Sequence, residues 1–208
     1  LFTSPHLKDF RERIKINGKM ISKSEVSGFV AMHKIHFQDI QPSFFEWTFA
    51  LATWYLEKEK VDLAVVETGM GGRLDSTNII NPIVSVITNI GLDHTQFLGN
   101  TLAAIAAEKA GIIKSSVPVV IGETHPETAS VFLQSAQKLQ SEIVFADKQL
   151  ILSRMTLTKH RPPLLSAEFV SLTSDQKYSL TSPLSGKYQL KNLATSISVI
   201  EKLQSCGL

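Results

Sequence analysis

Three short runs limit what this chain can fold into more than any other feature. VDLAVVE (residues 61–67), IVSVIT (83–88) and VPVVIG (117–122) are apolar and rich in β-branched residues. Runs without polar alternation suit strands covered on both faces of a parallel sheet. A helical stretch, TLAAIAAEKAG (101–111), separates the second run from the third. This alternation predicts an α/β fold: a mainly parallel, doubly wound sheet flanked by helices.

The flanking segments have their own periods. ERIKINGKMIS (12–22) alternates around Asn17-Gly18 and predicts a hairpin. SKSEVSGFVAMHKIHF (22–37) opens with a capping-box pattern, Ser22 and Glu25, and continues at helical spacing. A second helix, aromatic-rich, is expected from Pro42 to Lys60. After about Glu142 the pattern shortens to IVFADKQLILS, SAEFVSL and QKYSLTSPL, which predict a small antiparallel sheet over about 143–185. GKYQLKNLATSISVIEKL (186–203) returns to a helix, apolar at Leu193, Ile197, Ile200 and Leu203.

With 208 residues, 43% hydrophobic, there is enough chain for one large domain or a domain with an appendage. A formal charge of +2, with no basic run, points to no nucleic acid and no membrane surface. The single cysteine, Cys206, rules out an internal disulfide framework and fits a reducing, cytoplasmic location. No run approaches the roughly 20 apolar residues of a membrane helix. LFTSPHL begins without methionine and runs straight into a motif at Thr3, so a piece of a longer protein is expected.

In a parallel sheet the ligand crevice lies beyond the carboxyl ends of the strands. Glu67 ends one predicted strand, and Asp93-His94 follow another. Singly, Glu67 reads as a salt-bridged or capping acid and His94 as a structural histidine. Together they form half a metal site, the carboxylate suiting Mg²⁺ and the imidazole more typical of zinc. The loop Gly69-Met70-Gly71-Gly72 is either a structural turn or a place where backbone approaches a ligand closely. No G-x-x-x-x-G-K-[ST] phosphate loop occurs in the 208 residues. Lys109 stands among small apolar residues: it either extends its ammonium to water or is a buried, nucleophilic amine open to carbamylation.

TSPHLKDFRERI, FFEWTFALA, VVETGMGGRLDSTNI, ITNIGLDHTQFLG and AAEKAGIIK, in that order, resemble the folylpolyglutamate synthase/dihydrofolate synthase family of the Mur ligase superfamily. The resemblance spans nearly the whole chain and is strongest from Asp62 to Lys114.

The resemblance implies a carbon–nitrogen ligase using ATP as co-substrate and L-glutamate as acceptor, acting on folate or dihydropteroate. Glu67, His94 and Lys109 would be its catalytic residues. Magnesium, as two ions, would be held by Ser4, Glu67, His94 and a carbamylated Lys109. Ser43, Phe44, Phe45, Leu74, Asp75 and Ser76 would contact the pteroyl substrate. Asn192, with Gln189, would bind the adenine of ATP; Tyr188 stands where the family frequently has histidine. The resemblance also implies a monomer. It places the chain as the central ATP-binding domain, with the phosphate loop upstream of Leu1 and a Rossmann-like domain beyond Leu208, so the 208 residues alone are expected to be inactive.

Two other readings stand beside this one. A metallohydrolase would use Glu67, Asp93, His94 and a carbamylated Lys109, although the histidines at 6, 33, 36 and 125 form no ligand motif. A non-catalytic binding or scaffolding domain would keep the fold without turnover.

Overall fold

A computed structural model describes residues 1–159 and 161–208. The chain divides into two compact units, Leu1–Ile80 and Asn81–Leu208.

The first unit opens with a 3-10 turn, Phe10–Arg13, followed by β1 (Lys15–Ile16) and β2 (Lys19–Met20). Lys15 pairs with Met20 and Ile16 with Lys19. Asn17 and Gly18 take φ of 50° and 79°, the left-handed pair that a two-residue hairpin needs. The hairpin is shorter than its sequence pattern, because Glu12 and Arg13 belong to the 3-10 turn. Helices α1 (Lys23–Phe37) and α2 (Phe44–Lys58) follow. Ser22 caps α1 by accepting the Glu25 N–H at 3.1 Å, but the Glu25 carboxylate pairs with Lys58 at 2.6 Å. A complete capping box is on α2: Ser43 Oγ accepts from Glu46 N–H at 3.3 Å, and the Glu46 carboxylate accepts from Ser43 N–H at 2.6 Å. Phe29, Phe49, Leu51 and Ala52 of these helices enclose Phe2, Ile14 and Ile21 in one core.

VDLAVVE departs from its prediction as a covered strand. It is extended, but its backbone pairing is confined to Phe2, which forms single bridges with Val66 and Ile14. Leu63 and Val65 are 54% and 62% exposed. An apolar, β-branched run becomes a sheet strand only where a neighbouring strand runs alongside it, and here a single residue, Phe2, does so.

The second unit carries the predicted parallel sheet. In chain order it runs β3 (Ser85–Ile87), α3 (Thr95–Leu98), α4 (Leu102–Ala110), β4 (Val119–Ile121), α5 (Ala129–Lys138), β5 (Ile143–Phe145) and α6 (Ala146–Gln149). Strands β3, β4 and β5 are parallel neighbours in that order. Ile87, Val119 and Ile121 meet Ala106 and Ala110 of α4 and Phe132 and Ala136 of α5 in a continuous core.

An antiparallel sheet of β6 (Leu150–Leu157), β7 (Leu165–Ser171) and β8 (Lys177–Ser182) follows, then α7 (Gln189–Ser205). Residues 143–145 therefore join the parallel sheet, not the antiparallel one. Ile143, Val144 and Phe145 continue the register of β4, while alternation between buried and open positions begins in β7. The α5 crossover, at 129–138, has no counterpart in the sequence reading. Ala194 and Ile197 of α7 pack with Leu150, Ala167 and Phe169. No described helix is long and apolar enough to cross a membrane.

Candidate active site

In the first unit, Phe2 joins the start of the chain to the extended run. Its N–H donates to Val65 O at 2.8 Å, and the Glu67 N–H donates to Phe2 O at 2.9 Å. Two residues along, the Ser4 N–H donates to Glu67 Oε2 at 2.7 Å. Ser4 and Glu67, read from sequence segments 63 residues apart, are thus brought together. Glu67 remains exposed, so its second oxygen faces water.

Asp75 organises the glycine loop. Its Oδ2 accepts from the N–H groups of Gly69 and Met70 at 2.9 and 2.8 Å; its Oδ1 accepts from Thr77 N–H and Oγ1 at 3.0 and 2.5 Å. The carboxylate expected to touch substrate is therefore engaged with the loop's own backbone. Leu74 is 79% exposed, and Ser76 opens the 3-10 turn Ser76–Ile79. The loop also rests on Phe45: a Cβ on Gly69 would lie 2.6 Å from Phe45 Cζ. With the ring so placed, a side chain at 69 would force Phe45 to shift.

Ser43 is the N-cap of α2, and Phe44, its first residue, is exposed. The Phe44 ring meets Phe10 edge-on at 5.7 Å, and the Arg13 guanidinium sits 5.3 Å above its centroid. Arg13 Nε donates to His6 Nδ1 at 2.9 Å. The TSPHL loop is closed by Glu12, whose carboxylate accepts from Leu7, Lys8 and Asp9 N–H at 2.9, 3.1 and 2.9 Å. Those bonds, led by Leu7 and then Asp9, hold the Glu12 carboxyl below its usual range. Sequence reasoning assigned no role to Arg13 or Glu12; the alternation of acid and base in DFRER was the available signal.

In the second unit, His94 lies in the loop beyond β3. It takes φ 50°, donates its N–H to Asp93 Oδ1 at 2.8 Å, and supplies the carbonyl that starts α3. Asp93 and His94 are both exposed, with His94 Nε2 3.6 Å from Asp93 Oδ2. Gly99, at φ 98°, turns the chain from α3 into α4, where an added Cβ would meet Ala104 Cβ at 2.8 Å. Lys109 sits in the last turn of α4 and is half-buried, short of the enclosure its sequence surroundings suggest.

Asn192 and Gln189 meet on α7, Asn192 Nδ2 donating to Gln189 Oε1 at 2.9 Å. The first turns of α7 lie at the carboxyl end of β4. Lys191 pairs with Glu123 at 2.5 Å, and a Cβ on Gly122 would fall 2.5 Å from Thr195 Oγ1. This is the edge of a parallel sheet where ligands bind.

The resemblance drawn from the sequence implies magnesium. Ser4 and Glu67, joined through the Ser4 N–H, both carry hard oxygen donors of the kind that ion takes; His94 and Lys109 belong to the other unit. Among the described residues, no three His, Cys, Asp or Glu side chains gather as a metal cluster.

The Mur ligase middle domain family matches residues 19–200. The chain is 37% identical over 210 residues to the dihydrofolate synthase/folylpolyglutamate synthase of Bacillus subtilis, covering 97% of this chain and 48% of that protein. It is 36% identical over 204 residues to the folylpolyglutamate synthase of Lacticaseibacillus casei, covering 95% and 47%. A solved FPGS–AMPPCP–folate complex superposes with a TM-score of 0.87 at 35% identity, over 97% of this chain and 50% of that one. The chain therefore spans about half the length of these relatives.

Proposed function

Because this chain belongs to the Mur ligase middle-domain family, we propose that it forms the central ATP-binding part of a ligase that joins L-glutamate to folate or dihydropteroate. The protein would work in the cytoplasm as a monomer. Residues 1–208 would be the central domain, with the antiparallel sheet Leu150–Ser182 as a small β subdomain. The phosphate loop and a Rossmann-like domain would lie elsewhere in the longer protein. The anchoring of Glu67 by the Ser4 N–H, beside a glycine loop whose N–H groups are tied to Asp75, carries this reading. It fixes one carboxylate at the end of an extended segment with an oxygen left for a ligand.

The reaction has two steps. A substrate carboxylate oxygen attacks the γ-phosphorus of ATP, ADP leaves, and an acyl phosphate forms. The amine of L-glutamate then attacks the acyl carbon, the carbon–oxygen bond to phosphate breaks, and the amine gives up a proton as the amide forms. Ser4 and Glu67 of the first unit, and His94 and a carbamylated Lys109 of the second, are the residues that would hold magnesium, as two ions, whose positive charge would favour phosphoryl transfer. Gly69 over the Phe45 ring, with Leu74 and Ser76 at the loop's outer side, would seat the pteroyl group, and Phe44 and Ser43 would border it. Asn192 and Gln189 present amide donors and acceptors of the kind that read an adenine edge.

The test is phosphate release by the longer protein, measured with ATP, L-glutamate and either folate or dihydropteroate. Glu67→Gln should lower kcat by about 10²–10³-fold. Release that is independent of L-glutamate would overturn the ligase reading; unchanged release in Glu67→Gln would overturn the role of Glu67.

A further inference from the structure

Arg13 is 9% exposed as a residue, but neither of its terminal nitrogens is among the buried atoms that lack a partner, so both reach the surface. Both acids of the same segment are otherwise engaged. Asp9 is bound by Arg11 through paired contacts at 2.7 and 3.2 Å, and Glu12 holds three backbone N–H groups. Arg13 has five N–H donors, and one of them, on Nε, is given to a neutral acceptor, His6 Nδ1, at 2.9 Å. Its face rests on the Phe44 ring. Among the described residues its two terminal nitrogens have no hydrogen-bond partner and no acid within ion-pair distance.

We propose that Arg13 is a receptor for the carboxylate of an aryl carboxylic acid. The inference rests on the ligase reading and narrows it to the substrate end that Arg13 would hold. A planar guanidinium with both terminal nitrogens open matches a carboxylate in a two-point contact, which an ammonium cannot copy. Phe44 supplies the complementary apolar surface: one part of its ring carries Arg13, and the side chain as a whole is 58% exposed. An aromatic ring bearing a carboxylate can lie against that exposed surface while its oxygens reach the guanidinium. Nε to His6 and the Phe44 face fix the fork without using the atoms that would grip the ligand.

The experiment compares pteroate with its methyl ester by isothermal titration to the longer protein, wild type and with Arg13→Lys or Arg13→Met. In the wild type the acid should bind about 10–100-fold more tightly than the ester, as a charge-assisted hydrogen-bond pair is worth. Arg13→Lys should lose most of that preference, and Arg13→Met nearly all of it, with ester affinity little changed in Lys. Equal binding of acid and ester by the wild type would overturn the proposal without any protein variant. An acid preference retained in Arg13→Lys and Arg13→Met would overturn it as well. If neither ligand binds the wild type while folate does, the proposal is overturned and the ligase reading stands; if folate does not bind either, both fail.

Discussion

Single side chains set the loop that carries Ser4. Glu12 gathers three consecutive N–H groups, and Asp9 is held down to about 2, first by its side-chain bond to Arg11 and then by the Arg11 backbone N–H. A carboxylate whose folded pKa is depressed stabilises the fold fully above its ordinary pKa and stops doing so as pH falls through the folded value. For Asp9 that window lies between 3.8 and about 2; for Glu12 it begins below 4.5. Thermal melts in acid should therefore show Glu12→Gln converging on the wild type as pH drops below about 4, having been less stable at pH 7. A gap that persists unchanged at low pH would mean the charge of Glu12 is not what closes the loop. The glycine loop gives a second prediction. Gly69→Ala places a methyl against Phe45 Cζ, so folate binding by the longer protein should weaken about 10-fold or more, read by titration, while unchanged affinity would separate the loop from the substrate.

Elements are fixed by their ends as much as by their faces. Helix α2 closes both halves of a capping box, and Ser43→Ala should lower stability by about 1 kcal/mol, visible as a lower denaturant midpoint, with Ser43→Asp restoring most of it. If Ser43→Ala melts like the wild type but raises the KM for folate, Ser43 acts on substrate more than on the helix. Strand β4 meets α7 through Gly122, where an added Cβ would lie 2.2 Å from Thr88 O and 2.5 Å from Thr195 Oγ1. Backbone cannot yield as a side chain can, so Gly122→Ala should cost about 1–3 kcal/mol and shift the turn that presents Asn192. Nucleotide affinity should fall with it; a variant as stable and as tightly binding as the wild type would show that α7 is not seated by this contact.

At the scale of the whole chain, the two units differ in how much of them was legible. The unit from Asn81 holds its own parallel core and a second core under α7, so residues 81–208 expressed alone should unfold in one cooperative transition in urea. A gradual, non-cooperative loss of signal would show that these cores do not stand by themselves. The β3–α4–β4 alternation, both long helices of the first unit, the Asn17-Gly18 turn and α7 follow from local periodicity and turn chemistry, which a sequence carries residue by residue. The candidate residues were likewise legible as types in motifs. What the sequence could not determine is which partners complete them. VDLAVVE has strand composition yet forms single bridges, and IVF at 143–145 joins the parallel sheet, since ladder pairing is a long-range contact. Asp75 turned inward to the glycine loop, Ser4 met Glu67, and Arg13 was left without an acid because Arg11 and the loop backbone took the two nearby. Each is a competition between donors and acceptors for the same space, and only tertiary packing decides it.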